Sequence, residues 1–368
     1  MSSADGSSDD GPSGGSSGSG PSRLVDDLRW LVDIPSVTGE ERALRDAIAE
    51  RLSATVEIDL VGESLVAGRR TGRPRIDLYG HLDTVPENGN LPARVEDGRV
   101  KGLGTSDMKS GLALMLAALE SEAVAGGQYD VFGIFYDREE GPADENGLEG
   151  VLDAVSHLGE AELALVMEPT DNELQLGCQG TINASVTFEG EAAHSARPWL
   201  GENAVTKAGE WLAGMHLRKA RDVIVEGLTF RETFAVTTAS GGVARNVIPA
   251  LFTLNVNHRY PPDRSPEEAE QILTEVCAAA DRFDVVDSAP AGPIPSDNRH
   301  VDRLRASGVA AVTAKTAWTD VARLTQRGIP AVNFGPGEVA LAHRADESVS
   351  IEALRMGWAI LEQFLAAR

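Results

Sequence analysis

Arg75-Ile76-Asp77-Leu78-Tyr79-Gly80-His81-Leu82-Asp83 decides how this chain is read. A short apolar run of this kind predicts a buried strand, and it runs without a break into a histidine and an aspartate. Three more segments repeat the pattern. Val131-Phe132-Gly133-Ile134-Phe135-Tyr136 runs into Asp137-Arg138-Glu139-Glu140-Gly141. Leu163-Ala164-Leu165-Val166-Met167 runs into Glu168-Pro169, and Ala331-Val332-Asn333-Phe334 leads through Gly335-Pro336-Gly337 to His343. Helical periodicity over 111–120 and 148–158 falls between these strands. Strands alternating with helices predict an α/β fold with a mostly parallel sheet. In such sheets, sites form outside the carboxyl ends of the strands, where these polar residues fall.

Working outward, 23–33 and 40–53 carry helical spacing, separated by a turn at Ile34-Pro35-Ser36-Val37-Thr38-Gly39. After Gly177 the texture changes. Residues 181–188 alternate as a half-buried strand. A helix over 204–217, strands over 233–238 and 247–257 and a helix over 266–279 follow. This order predicts an α+β unit with an antiparallel sheet. A proline-rich linker over 287–298 leads to a helix over 300–307, the strand 331–334 and a helix over 351–366. The expected division is a Ser/Gly-rich disordered tail over 1–22, a catalytic domain in two parts (23–177 and 289–368), and a domain inserted between them over 178–288.

A length of 368 residues suits two domains of ordinary size. The net charge of -24 argues against nucleic acid and anionic membrane surfaces as partners. Two cysteines, Cys178 and Cys277, exclude a disulfide framework and a cysteine zinc cluster. No apolar run is long enough for a membrane span, and the N-terminus lacks a leader's basic and apolar regions. A cytoplasmic enzyme with a small-molecule substrate is the expectation.

The chemistry-bearing set is His81, Asp107, Glu140, Glu168 and His343. Asp107 lies in Gly104-Thr105-Ser106-Asp107-Met108-Lys109, just before a helix. Alone, each reads as a loop or capping residue. Together, two imidazoles and three carboxylates suit zinc, and the absence of thiolates favours an open catalytic site. Two metals sharing a carboxylate are a recognised hydrolytic arrangement. In the adjacent pair Glu139 and Glu140, one side chain can ligate while the other stays free as a base; a solvated loop acid is the plain alternative for Glu139. Arg259 reads either as a surface charge or as a clamp for a substrate carboxylate.

Gly80-His81-Leu82-Asp83-Thr84-Val85-Pro86, Asp107-Met108-Lys109, Glu139-Glu140-Gly141, Glu168-Pro169, His194-Ser195-Ala196 and Ala342-His343 resemble, in order, the motifs of the M20 metallopeptidase and deacylase family. The resemblance spans 24–368. It implies one zinc on His81, Asp107 and Glu168, and a second on Asp107, Glu140 and His343, with cobalt as a substitute. It also implies Asp83 as the orienter of His81, Glu139 as general acid/base, and a cis peptide after Asp107. The inserted domain would be a ferredoxin-like lid and dimerisation unit, and its His194 would reach the active site of a second subunit. Asn246, Arg259 and Gly335 would contact substrate. The implied reaction is hydrolysis of an N-acyl amino acid, foremost N-succinyl-LL-2,6-diaminopimelate. Acetylornithine, other N-acyl amino acids and small peptides are the alternatives. The chain departs from the family pattern at Gln179 and at Ala317-Trp318.

Overall fold

The computed structural model describes residues 21–366. The tail expected over 1–22 lies outside them except for Pro21 and Ser22, which open the helix Pro21–Val32. Sixteen strands follow in chain order: β1 (Glu57–Val61), β2 (Ser64–Gly68), β3 (Arg75–His81), β4 (Arg94–Glu96), β5 (Arg99–Lys101), β6 (Asp130–Tyr136), β7 (Leu163–Val166), β8 (Leu174–Leu176), β9 (Gly180–Glu189), β10 (Arg221–Val225), β11 (Leu228–Gly241), β12 (Leu251–Tyr260), β13 (Arg282–Ala289), β14 (Val312–Ala314), β15 (Ala331–Asn333) and β16 (Ser348–Ser350).

The larger sheet has the order β1-β2-β6-β3-β7-β15-β8-β14. Its centre, β6-β3-β7-β15, is parallel throughout, while β2 and β8 pair antiparallel at its margins. Every residue of β3 and β7 is buried, as expected for strands covered on both faces. The helices Pro21–Val32, Arg42–Leu52, Lys109–Glu120 and Ile351–Ala366 pack on one face. The helices Gly147–Ala154 and Val321–Gln326 cover the other. Four parallel strands therefore end on one side, delivering His81, Asp137 to Glu140, Glu168 and the loop to His343 together.

Residues 180–289 build the second sheet, order β10-β11-β12-β9-β13, with a core of its own. Without β10 the succession is the ferredoxin-like βαββαβ, with β9 and β12 central. Along β9, Ile182, Ala184, Val186 and Phe188 face the helices, while Thr181, Asn183 and Ser185 lie on the opposite, polar face.

Several elements differ from the sequence expectation. The helix expected over 148–158 ends at Ala154, because Val155 leaves helical dihedrals before a short 3₁₀ turn. The helix expected over 204–217 divides into Ala204–Lys207 and Gly209–Leu217. Residues 247–250 are loop, where Pro249 has no N–H to give a ladder. The expected linker over 287–298 begins only after β13, at Pro290.

Gly111 sits where the helix Lys109–Glu120 crosses the end of β7. A Cβ there would lie 2.3 Å from the Met167 carbonyl oxygen. Alanine would gain about 1 kcal/mol of helix propensity. The clash is with rigid backbone, and such overpacking costs about 1–3 kcal/mol. Gly111→Ala is therefore expected to lower the urea unfolding midpoint. A raised midpoint would show that helix and sheet separate at little cost.

Candidate active site

His81 ends β3 and is almost completely buried. Its Nδ1 lies 3.0 Å from the carbonyl oxygen of Asp83 and 3.5 Å from the Asp83 carboxylate. A carbonyl only accepts, so in the neutral ring Nδ1 carries the proton and Nε2 presents its lone pair. That Nε2 is 3.3 Å from Asp107 Oδ1 and 3.9 Å from Glu168 Oε1. The other Asp107 oxygen, Oδ2, is 3.4 Å from His343 Nε2, which lies 2.8 Å from Glu140 Oε1. Three groupings bring donor atoms within 4.8 Å of one another: His81, Asp107 and Glu168; Asp107, Glu140 and His343; and His81, Glu139 and Glu140. Two of them share Asp107, and Glu139 stands beside both kinds of ligand.

Backbone N–H groups hold these loops. The Asp83 carboxylate accepts from the Glu139 and Glu140 amides, each at 3.0 Å, and from the Thr38 hydroxyl at 3.0 Å. Asp83 thus meets His81 more closely through its carbonyl than through its carboxylate, which is occupied with the Glu139-Glu140 turn. Glu347 does the same for Asp107: its carboxylate accepts from the amides of Gly104 (2.8 Å), Ser106 (2.8 Å) and Asp107 (3.0 Å). The Asp107-Met108 bond is cis, as the resemblance implied.

Charge around the cluster is unbalanced. Burial pushes Glu139 well above the ordinary carboxylate range; His81 opposes this and Glu168 adds to it. Glu168 is pushed up to about 7 by burial and by Asp107, against the nearby Lys315 ammonium. Burial would raise Asp107 too, but bonds from His343 and His81 hold it below the usual range. The Asp107 carboxylate lifts His343 to about 9 against the effect of burial, helped by Glu140. Excess negative charge, two imidazole lone pairs and an all-N/O donor set fit a divalent cation of the zinc type.

Other residues singled out in the sequence lie elsewhere. His194 is exposed, and its Nδ1 accepts from the Ala196 amide at 3.0 Å. Asn246 is its neighbour, its carbonyl accepting from the Ser195 amide at 2.9 Å. Arg259 is half-buried on the polar face of β12 and donates to Asn257 Oδ1 at 3.1 Å. Among the described residues, the groupings with metal-ligand geometry include none from the second sheet. Gly335, expected as a substrate contact, is buried beside the end of β7: a Cβ there would lie 2.5 Å from the Glu168 carbonyl oxygen. Gln179 donates to the Arg231 carbonyl, and Trp318 to that of Pro290, so both departures from the pattern lie where the chain passes between sheets.

The sequence reading missed Glu347. It also gave no role to Asp320, which is buried, accepts from the Tyr136 hydroxyl at 2.7 Å and forms an ion pair with Arg323 at 2.8 Å. Glu347 has no spacing signal because the amides it binds are distant in sequence, and the Asp320–Arg323 spacing of three reads as an ordinary helix pair while Tyr136 is distant.

The model of the peptidase family M20/M25/M40 matches residues 78–367. This chain belongs to that family. It is 38% identical to a succinyl-diaminopimelate desuccinylase of Corynebacterium glutamicum, over 91% of this chain and 94% of that one. It is 31% identical to an acetylornithine deacetylase of Myxococcus xanthus, over 93% and 94%. Among solved structures, a tripeptidase of Staphylococcus aureus shares the fold with a TM-score of 0.78 at 20% identity, covering 94% of this chain and 98% of that one. An M20 peptidase of Bacillus subtilis described as dinuclear and metal-binding follows at 0.65 and 18%, covering 94% and 97%.

A ligating His343 must be neutral, so below about pH 9 a proton competes with the metal. Zinc affinity, measured by chelator competition, is expected to rise by at least roughly tenfold per pH unit between about pH 7 and pH 9. A flat affinity over that interval would exclude His343 as a ligand.

Proposed function

We propose that this family member is a cytoplasmic zinc amidohydrolase that cleaves N-succinyl-LL-2,6-diaminopimelate to succinate and LL-2,6-diaminopimelate, a step of lysine and diaminopimelate synthesis. The observation that carries the reading is the shared Asp107 carboxylate, one oxygen toward His81 and the other toward His343, each imidazole with a further carboxylate beside it. The substrate rests on the Corynebacterium relative.

His81, Asp107 and Glu168 would hold one zinc, and Asp107, Glu140 and His343 a second. Zinc bound there supplies Lewis acidity toward the amide carbonyl and lowers the pKa of a water. Glu139 takes the proton from the attacking water and passes it to the leaving nitrogen. Its buried setting, which raises its proton affinity, suits a group that must first accept that proton and then release it. Asp83 keeps the Glu139 and Glu140 amides in place. Arg259 receives a substrate carboxylate through its planar guanidinium. The unit over 178–288 acts as a lid and joins two subunits, and His194 and Asn246 complete the site of the partner.

The test is turnover of a substrate panel by zinc-loaded, cobalt-loaded and metal-free protein. N-succinyl-LL-2,6-diaminopimelate is expected to be hydrolysed fastest. The Myxococcus relative makes N-acetylornithine the informative rival. Faster hydrolysis of that compound, with none of the succinylated one, replaces the substrate assignment. Glu139→Gln should keep its zinc and lose roughly 100-fold or more in kcat; undiminished kcat removes Glu139 as the base.

Action of His194 across subunits has its own test. Inactive His194→Ala and inactive Glu139→Ala proteins, mixed into heterodimers, should regain part of the activity, because one composite site escapes both lesions. Heterodimers demonstrated by mass but devoid of activity would place His194 in its own subunit's site.

A further inference from the structure

The turn at 34–39 reads in the sequence only as a link between two helices. In the fold it runs beside the chain that follows β3. Val37 pairs in parallel with Thr84, the Thr38 amide donates to the Thr84 carbonyl (3.1 Å), and the Thr84 amide donates to the Ser36 carbonyl (2.9 Å). The segment ends at Glu41, which stands at the N-terminus of the helix Arg42–Leu52 and does not cap it with its side chain. That side chain is fully buried. Its Oε1 accepts from the Gly39 amide at 2.7 Å and from the Arg138 amide at 3.3 Å, while Oε2 has no partner.

Burying a carboxylate with one oxygen unbonded is costly. Asp83 and Asp137, its charged neighbours, add like-charge repulsion. What offsets that cost is visible on the partner side. Arg138 has a positive φ of 58°, a conformation uncommon for residues other than glycine. The amide of Arg138 goes to Glu41, and those of Glu139 and Glu140 go to the two oxygens of Asp83. Three successive N–H groups of the loop are thus bonded by two carboxylates, and Thr38 ties the segment to Asp83.

We propose that Glu41 is a positioning residue of the reaction: through the Arg138 amide it fixes the backbone from which Glu139 projects. It rests on the reading of Glu139 as the base. It makes the 36–41 segment part of the catalytic scaffold, acting through the loop and touching neither substrate nor metal.

The test uses Glu41→Ala and Glu41→Gln in the full chain. The glutamine retains an acceptor for Arg138; the alanine does not. In metal-free protein, amide hydrogen exchange over 138–140 should speed up at least tenfold in Glu41→Ala and stay near wild type in Glu41→Gln. With saturating zinc, kcat of Glu41→Ala should fall about 10–100-fold with KM within about twofold, and Glu41→Gln should restore it. If Glu41→Ala does not accumulate, Glu41→Asp replaces it, since the shorter side chain withdraws its oxygen from Arg138, and the same losses are expected. Unchanged exchange over 138–140 overturns the positioning role. Faster exchange with unchanged kcat overturns its catalytic consequence. A loss shared equally by Glu41→Gln means that charge, not the bond to Arg138, is what matters, and also overturns it. Failure of the base assignment appears separately, as an active Glu139→Gln enzyme.

Discussion

A carboxylate that offers one oxygen to His81 and the other to His343 cannot shift without losing both, so the arrangement depends on where Asp107 stands. Its loop is held from two directions. Glu347 gathers the amides of Gly104, Ser106 and Asp107. Gly337 lets the loop after β15 press against Ser106, where a Cβ would lie 2.2 Å from the Ser106 carbonyl oxygen. The parallel strands then supply the remaining groups around this fixed point, because β3, β6, β7 and β15 all end on the same side.

The same crowding carries an electrostatic cost. Two like charges about 4 Å apart repel by about 4 kcal/mol at an effective dielectric of about 20. Here Asp107, Glu139, Glu140 and Glu168 share a partly buried space with two imidazoles. Only Asp107 is held below its ordinary range, since among the four it alone accepts bonds from both imidazoles, whereas Glu139, Glu140 and Glu168 are raised. Asp83 and Glu347 stand just behind, and each turns its charge to backbone amides. The outer carboxylates are accommodated by the chain itself, and the inner ones are left with negative charge that the protein does not neutralise.

The central strands were legible in the sequence because burial on both faces forces continuous apolar runs, and those runs stop at imidazoles and carboxylates. β1, β2 and β10 were not. They belong to hairpins closed by two-residue turns, Gly62-Glu63 and Glu226-Gly227, and β1 and β10 lie at sheet edges with exposed side chains. Glu226 and Gly227 both take positive φ, as a two-residue hairpin turn of this kind requires, but Glu-Gly is not one of the sequence pairs that announce it. The clustering of the candidate groups was legible because imidazoles and carboxylates at strand ends are informative by type and place. Glu347 and Glu41 act on amides far away in sequence, and no periodicity records such a bond. Gly335 shows a further limit: glycine marks close approach, but the sequence does not say to what, and here it is the backbone of Glu168.

The second sheet follows a different logic. Its polar face carries a chain of side-chain bonds from Arg259 to Asn257, from Asn257 to Asn183, and from Asn183 to Asp287. These amides leave Arg259 oriented but not neutralised, since Asn257 brings no charge. A guanidinium held by a neutral partner keeps its other donors for an anion, whereas one paired with a carboxylate would have to lose that partner first. The two units are joined where the chain crosses: Cys178 and Gly292 exchange backbone bonds, and the Gln179 amide donates to the Ala317 carbonyl. Carboxylates crowded at the strand ends of one sheet call for a cation, whereas a guanidinium held by a neutral amide on the other calls for an anion, so the two sheets make opposite electrostatic demands.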